Sequence, residues 1–437
     1  MKRSLESKPN YSSVIRTIAA ILLVLCTASQ ISCARKNVNV DIPEAQPVSV
    51  SKEKPVAEKT PYRVYIESED YKLALYEPQN GVYAGAYINS GVLSEIDDFE
   101  AQAGEHVMYV AHYKLGDAFP INWLLDVMAH NKLPYIVITA QNSYDPYDLE
   151  LLAKAAAEVG RFYVPIFVDL YPNADLDSYN PKEYVNFYRQ AHEIFNEHAS
   201  NAALVFSVSS QDAAAALYYP GNEYADWVGI NVKTGADGNA DEISASIEKI
   251  CRRFQKEKPL IISSLAVGHI SAADHVYKTE KAQQLLSEIY RTVSERYPRI
   301  KGINYINIDC LGESAGYYNE ELEEENYLVT DEEAIKAAYK KAITGEGFTR
   351  EAAYQSAGEA DGEYLITAYD AYLHEGEMYI SADVFYNEIN LKGVSSIIGE
   401  SLEIDGEDYF RLELLKNYSL KKVQVDEARR IVYLGAL

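Results

Sequence analysis

Cysteine, histidine and positive charge are all scarce in this chain, and each shortage closes off a class of function. Of the four cysteines in 437 residues, Cys26 and Cys33 fall near the N-terminus, leaving Cys251 and Cys310 for the folded part. Two cysteines cannot make a disulfide framework; they either pair once outside the cell or stay as separate core thiols. The eight histidines show no HExxH pair or other ligand spacing, and His192 and His198 do not share a helix face, so no metal is expected. There is no glycine-rich loop of the kind that cradles phosphate, so no nucleotide and no cofactor is expected. A formal charge of −26 argues against nucleic acid or an anionic membrane surface as ligand.

What the chain has in excess is tyrosine, 37 of 437 residues. Any single tyrosine is usually a packing residue. A set of them at one site suits sugars, because the ring offers an apolar face beside a hydrogen-bonding tip.

The N-terminus reads as an address. Lys2, Arg3, Lys8 and Arg16 precede the apolar run Ile18–Cys26, and small residues follow up to Ser32-Cys33-Ala34. That is the layout of an export signal, with Cys33 placed for lipidation and a membrane anchor. Plain secretion or an uncleaved anchor are the alternatives. Residues 34–62 lack apolar periodicity and read as a tether.

From there to about residue 345 the chain alternates short apolar strands with amphipathic helices. The strands are Gly81–Tyr87, His106–His112, Leu133–Thr139, Phe162–Val168, Ala202–Val208, the run Trp227–Ile230, Pro259–Ser263 and Gly302–Ile308. Asp148 and Asn180 are helix caps, the second with Pro181 at the first helical position. Continuously apolar strands between helices mean a parallel sheet covered by helices. Eight of them over about 280 residues make a (β/α)8 TIM barrel of the α/β class. The site of a barrel lies at the C-terminal strand ends. Tyr87, Asn89, Tyr113, Gln141, Tyr171, Asn173, Asn231, Ser264 and Asn307 gather there as candidate ligand-binding residues. Amides, hydroxyls and phenols suit hydrogen bonding to a neutral glycan better than acid–base chemistry.

Residues 80 to 310 resemble glycoside hydrolase family 26, the β-mannanase-type barrels. The resemblance rests on His106–Ile138 with Gly116-Asp-Ala-Phe-Pro120, on Tyr218–Gly229 entering the sixth strand, on Lys258-Pro-Leu-Ile-Ile262, and on Tyr297-Pro-Arg-Ile-Lys301. It implies a retaining mechanism, with an acid/base glutamate after the fourth strand and a nucleophilic glutamate after the seventh. Those positions fall on Asn173 and Ser264. Pro172 stands where the family has histidine, Leu265 where it has an aromatic, Ala140-Gln141 at its Trp-Glu pair and Lys233 at its tyrosine. An amide cannot protonate a leaving oxygen, and a serine without a base is a poor nucleophile. Asp169, Asp175 and Asp309 are the fallback carboxylates.

After a linker at 346–362, residues 363–437 form a small α+β domain. His374–Phe385 and Asp405–Leu415 repeat a turn, a strand and a helix start. The pattern resembles the copper amine oxidase N-terminal, or stalk, domain. His374 alone is no copper ligand set. The domains are thus a leader at 1–33, a tether at 34–62, a barrel at 63–345, a linker and the stalk-like module. Three functions follow: an exported, catalytically degenerate glycan-binding barrel; an active glycosidase on β-mannan or a related polysaccharide with relocated carboxylates; or an envelope scaffold that binds nothing.

Overall fold

The computed structural model describes residues 60–435 except 69–71, 89–94, 141–146, 176–178, 210–211, 236, 272–275, 312–324, 360–363, 367–368, 389–400, 419–421 and 429. All of these described residues belong to one compact unit, Pro55–Leu437. Cys33, Asn89 and Gln141 lie outside the described residues. Among those described, no helix is long and apolar enough to cross a membrane.

After a first strand β1 (Tyr62–Ser68), the barrel strands are β2 (Val82–Ile88), β3 (Met108–Lys114), β4 (Leu133–Thr139), β5 (Ile166–Leu170), β6 (Ala202–Ser209), β7 (Trp227–Thr234), β8 (Leu260–Val267) and β9 (Ile300–Asn307). Each pairs in parallel with the next, and β9 closes on β2 from Gly302↔Tyr83 to Asn307↔Ile88. The expected (β/α)8 barrel is therefore the observed one. Its helices α1 (Ile96–Ala103), α2 (Ile121–Ala129), α3 (Leu149–Val159), α4 (Pro181–His198), α5 (Asp212–Tyr218), α6 (Ala240–Phe254), α7 (Thr279–Arg296) and α8 (Glu333–Ile343) follow the strands in turn. The caps are as expected: Asp148 Oδ1 accepts from Leu151 N at 2.9 Å, and Asn180 Oδ1 from Lys182 N at 3.0 Å.

The fourth barrel strand starts later than its apolar pattern suggests. Phe162–Pro165 are not part of it, and Tyr163 is fully exposed. Proline has no N–H for the ladder, and pairing begins at Ile166↔Ala202. This carries the strand end to Leu170 and puts Asp169 inside the barrel wall instead of beyond it.

The barrel interior is packed with large side chains, among them Tyr83, Met108, Tyr135, Phe167, Trp227 and Ile261. Its N-terminal end is plugged by residues 72–79. Trp227 Nε1 donates to Leu75 O at 2.8 Å, and Tyr83 Oη to Tyr76 O at 3.0 Å. Glu77 and Arg299 form a buried pair there, 2.9 Å apart and 0% and 1% exposed. Arg299 also donates to Gln255 O at 2.5 Å. The plug leaves the C-terminal end as the face on which a ligand site can form.

The C-terminal sheet contains β10 (Tyr364–Ile366), β11 (Asp370–His374), β12 (Glu377–Ser381), β13 (Leu402–Ile404), β14 (Glu407–Arg411), β15 (Lys422–Asp426) and β16 (Ile431–Gly435), with helix α9 (Leu412–Tyr418). The sequence repeat is a pair of like hairpins. Glu375-Gly376 and Asp405-Gly406 both take positive φ at both positions, as the tight hairpin turn requires. β1 runs through the middle of this sheet, antiparallel to β11 and parallel to β16 from Arg63↔Ile431 to Ile66↔Leu434. Residues 63–68, placed by the sequence within the barrel segment, thus complete the C-terminal sheet, and the barrel is an insertion between β1 and β10. Ion pairs fasten the sheet to the barrel helices: Arg252 to Asp383 at 2.9 Å, Arg63 to Glu295 at 3.1 Å, and Arg296 to both Glu248 and Asp370.

Two tests follow. Removing one partner of the plug pair strands the other charge, so Glu77→Ala loses about 3–5 kcal/mol in urea unfolding; a loss below about 1 kcal/mol counts against this reading. His106 is held between Gly104 O and Tyr339 Oη, both at 2.8 Å. Burial pushes its imidazole down to about 4, against the opposing pull of Glu100, while Lys132 pushes it further down. A depressed histidine stabilises above the unfolded value near 6.5, and that stability is lost as pH falls toward 4. His106→Asn flattens the stability profile over that window; an unchanged slope contradicts the assignment.

Candidate functional site

The site is built on three neighbouring strand ends and one irregularity. β7 and β8 pair as Ile230↔Ile262 and then as Asn231↔Ser264, skipping Ser263. This bulge adds one residue to β8 and turns two consecutive serines inward. The lower one, Ser263, joins a buried polar layer: Tyr135 Oη donates to Asp169 Oδ2 at 2.7 Å and lies 2.8 Å from Ser263 Oγ. Ser207 Oγ donates to the same carboxylate oxygen at 2.6 Å and is 2.8 Å from Ser263 Oγ. The two serines meet across the intervening β7 only because residue 229 is glycine. A Cβ there would lie 2.1 Å from Ser207 Oγ and 2.2 Å from Ser263 Oγ.

The upper serine opens a second chain. Ser264 Oγ donates to Asn231 Oδ1 at 2.7 Å, and Asn231 Nδ2 donates to Asn173 Oδ1 at 2.7 Å. One amide therefore bridges the two positions that the sequence resemblance assigns to catalytic carboxylates. All three groups are neutral. Asn173 sits in a turn with positive φ at Tyr171 (50°) and at Asn173 itself (59°). Asparagine tolerates that region; tyrosine does so at a cost of about 1–3 kcal/mol and only when packing holds it. The Tyr171 ring is held by Phe187, 4.6 Å away, and stacks on Tyr147.

The fallback carboxylates each have partners of their own. Asp169 is 1% exposed and engaged in the lower layer. Asp175 accepts the Oγ–H and the N–H of Ser209. Asp309 accepts from Leu311 N at 2.9 Å and bridges to Asn326.

The other candidates are largely packed. Tyr113 stands edge-on to Phe119, 5.2 Å away, Tyr87 edge-on to His112 at 5.2 Å, and Asn307 Oδ1 accepts from Val329 N at 2.9 Å. Tyr87, Tyr113, Tyr171, Asn173, Asn231, Ser264 and Asn307 are all 9% exposed or less. Tyr113 and Tyr171 pack in the layer between the strands and the helices, and Tyr87 packs with the barrel interior. His112, beside Tyr87, is a site residue that strand patterning alone does not single out. Burial pushes its imidazole down to about 3, so it is a neutral hydrogen-bonding group. Cys251 and Cys310 are both free thiols in the core, and no three acidic, histidine or cysteine side chains converge for a metal among the described residues.

No family model matches the chain. Among curated proteins it is similar to a β-1,3-xylanase from Alcaligenes sp, 23% identical over 264 residues that cover 55% of this chain and 53% of that one. A second similar protein is the β-1,3-xylanase TXYA of Vibrio sp, 24% identical over 173 residues, 35% of this chain and 37% of that one. The chain thus spans about half the length, or less, of the curated relatives it matches. Among solved structures, a GH26 β-mannanase from Bacteroides ovatus superposes with a TM-score of 0.46 at 10% identity, over 63% of this chain and 93% of that one. A modular endo-β-1,4-mannanase from Cellulomonas fimi gives 0.49 at 11%, over 78% and 94%. Below a TM-score of 0.5 these superpositions add nothing to the barrel already traced strand by strand.

Gly229→Ala tests the construction of the site. The added methyl forces Ser207 and Ser263 apart from each other and costs about 1–3 kcal/mol in urea unfolding. A variant as stable as wild type contradicts the close approach.

Proposed function

We propose that this protein is an exported, cell-surface barrel of the family 26 type that binds a neutral glycan and does not cleave it by the two-carboxylate mechanism. Retaining hydrolysis needs two carboxyl groups roughly 5–5.5 Å apart across the sugar. The observation that carries the reading is the chain Ser264–Asn231–Asn173 in their place. Asn231 has both ends of its amide engaged in that chain, and the amide of Asn173 can donate as well as accept. Such groups recognise hydroxyls and pay no charge-desolvation cost.

The similar β-1,3-xylanases point to a β-linked polysaccharide, and the resemblance of the sequence motifs points to β-mannan. Anchoring through Cys33, with residues 34–62 as tether and the C-terminal sheet as spacer, is part of the same proposal.

The near-complete burial of the lining residues favours one rival, a scaffold barrel with a closed mouth. Calorimetry separates the two. Titration with manno-, β-1,3-xylo- and cell-wall oligosaccharides gives saturable binding to at least one, and Asn173→Ala weakens it about tenfold, the worth of one hydrogen bond near 1.4 kcal/mol. No heat with any of them sinks the glycan reading and leaves the scaffold.

A further inference from the structure

We propose that the protein pairs with a second copy of itself through the outer edge of β15, antiparallel and centred on Gln424. β15 is the last strand of the C-terminal sheet, bonded to β16 on one side from Lys422↔Gly435 to Asp426↔Ile431. Among the described residues no strand lies on its other side. The register with β16 is unbroken, so no bulge twists the edge away, and the strand holds neither proline nor glycine. Bulges and prolines are devices by which proteins blunt an edge against pairing, and neither is present in this strand. Lys422 and Gln424 are exposed, and Val425 is an exposed apolar residue at 37%.

The sequence Lys422-Val-Gln-Val-Asp426 is its own complement when read antiparallel. With Gln424 opposite Gln424 of the second copy, each Lys422 faces an Asp426 across the new ladder, and each Val423 faces a Val425. Opposite charges and β-branched pairs directly across strands are both favourable. A parallel arrangement sets lysine against lysine and aspartate against aspartate, which is unfavourable by the same rule. A shift of two residues leaves each lysine opposite glutamine and each aspartate without an opposite. Charge therefore selects one orientation and one register. Asp426 has contacts of its own within the chain, and a carboxylate accepts several donors at once. The result is a twofold interface in which the same patch is used by both copies.

Five residues of strand bury much less than the roughly 1,200 Å² of a stable complex, so the dimer is weak and concentration-dependent. The shared net charge of −26 opposes it at low salt and is screened at about 0.15 M. Tethering to one membrane would raise the local concentration and favour it.

Sedimentation equilibrium of the full chain at that ionic strength tests the proposal. Wild type shows a monomer–dimer equilibrium. Lys422→Asp and Asp426→Lys, each placing like charges opposite one another, weaken it about tenfold or more, with unchanged circular dichroism. The charge-swapped double variant Lys422→Asp/Asp426→Lys returns to within about threefold of wild type, since two pairs of about 0.5 kcal/mol each are regained. A chain that is monomeric throughout overturns the proposal. So does association that ignores both single reversals, which places the contact on another surface, and so does a double variant as weak as the singles.

Discussion

A strand turns alternate side chains to opposite faces, so two consecutive residues cannot both point into a barrel unless the strand is bulged. The extra residue in β8 breaks that alternation between Ser263 and Ser264, and the polar organisation of the mouth depends on it. Ser263 goes down to the Asp169 layer, where Gly229 leaves the room for it. Ser264 goes up to Asn231 and, through it, to Asn173. The barrel thus carries two stacked hydrogen-bonded layers, one around buried Asp169 and one of amides and a hydroxyl beyond it. The one carboxylate that points into the barrel from the fourth strand is in the first of them. Two hydroxyls donate to its Oδ2, as a buried polar group requires.

The eight strands were legible because each is buried on both faces and therefore reads as an unbroken apolar run. The choice of Asn173 and Ser264 came from the resemblance of the flanking motifs to family 26, and Asn231 hydrogen-bonds to both. Three things were not legible. The end of the fourth strand lies two residues beyond the point suggested by Pro165-Ile-Phe-Val168, because proline delays the start of pairing; Asp169 changed from a rim residue to a core residue on that account. The bulge leaves no mark in a run such as Leu-Ile-Ile-Ser-Ser-Leu, since either serine can be the extra residue. Tyrosines such as Tyr171 looked like sugar platforms, but composition cannot tell an exposed ring from one stacked on Phe187.

The place of β1 was also hidden. Tyr-Arg-Val-Tyr-Ile alternates as a strand does, yet nothing local tells which of two sheets it joins. Its pairing partners lie at the far end of the chain, and such long-range pairing is decided by the assembled sheet. β1 is an inner strand of that sheet, paired on both sides, and the barrel inserted after it is fastened to the C-terminal part through Arg252–Asp383 and Arg296–Asp370.

The central claim is that the mouth recognises without cutting. Its most direct measurement is reducing-end release from β-mannan, β-1,3-xylan and cell-wall polysaccharides, followed over hours from pH 4 to pH 8. A site whose bridged groups are an amide, an amide and a hydroxyl predicts no release above the buffer blank at any pH. Sustained turnover that disappears in Asp175→Asn or Asp309→Asn would contradict the account and move the chemistry to those carboxylates.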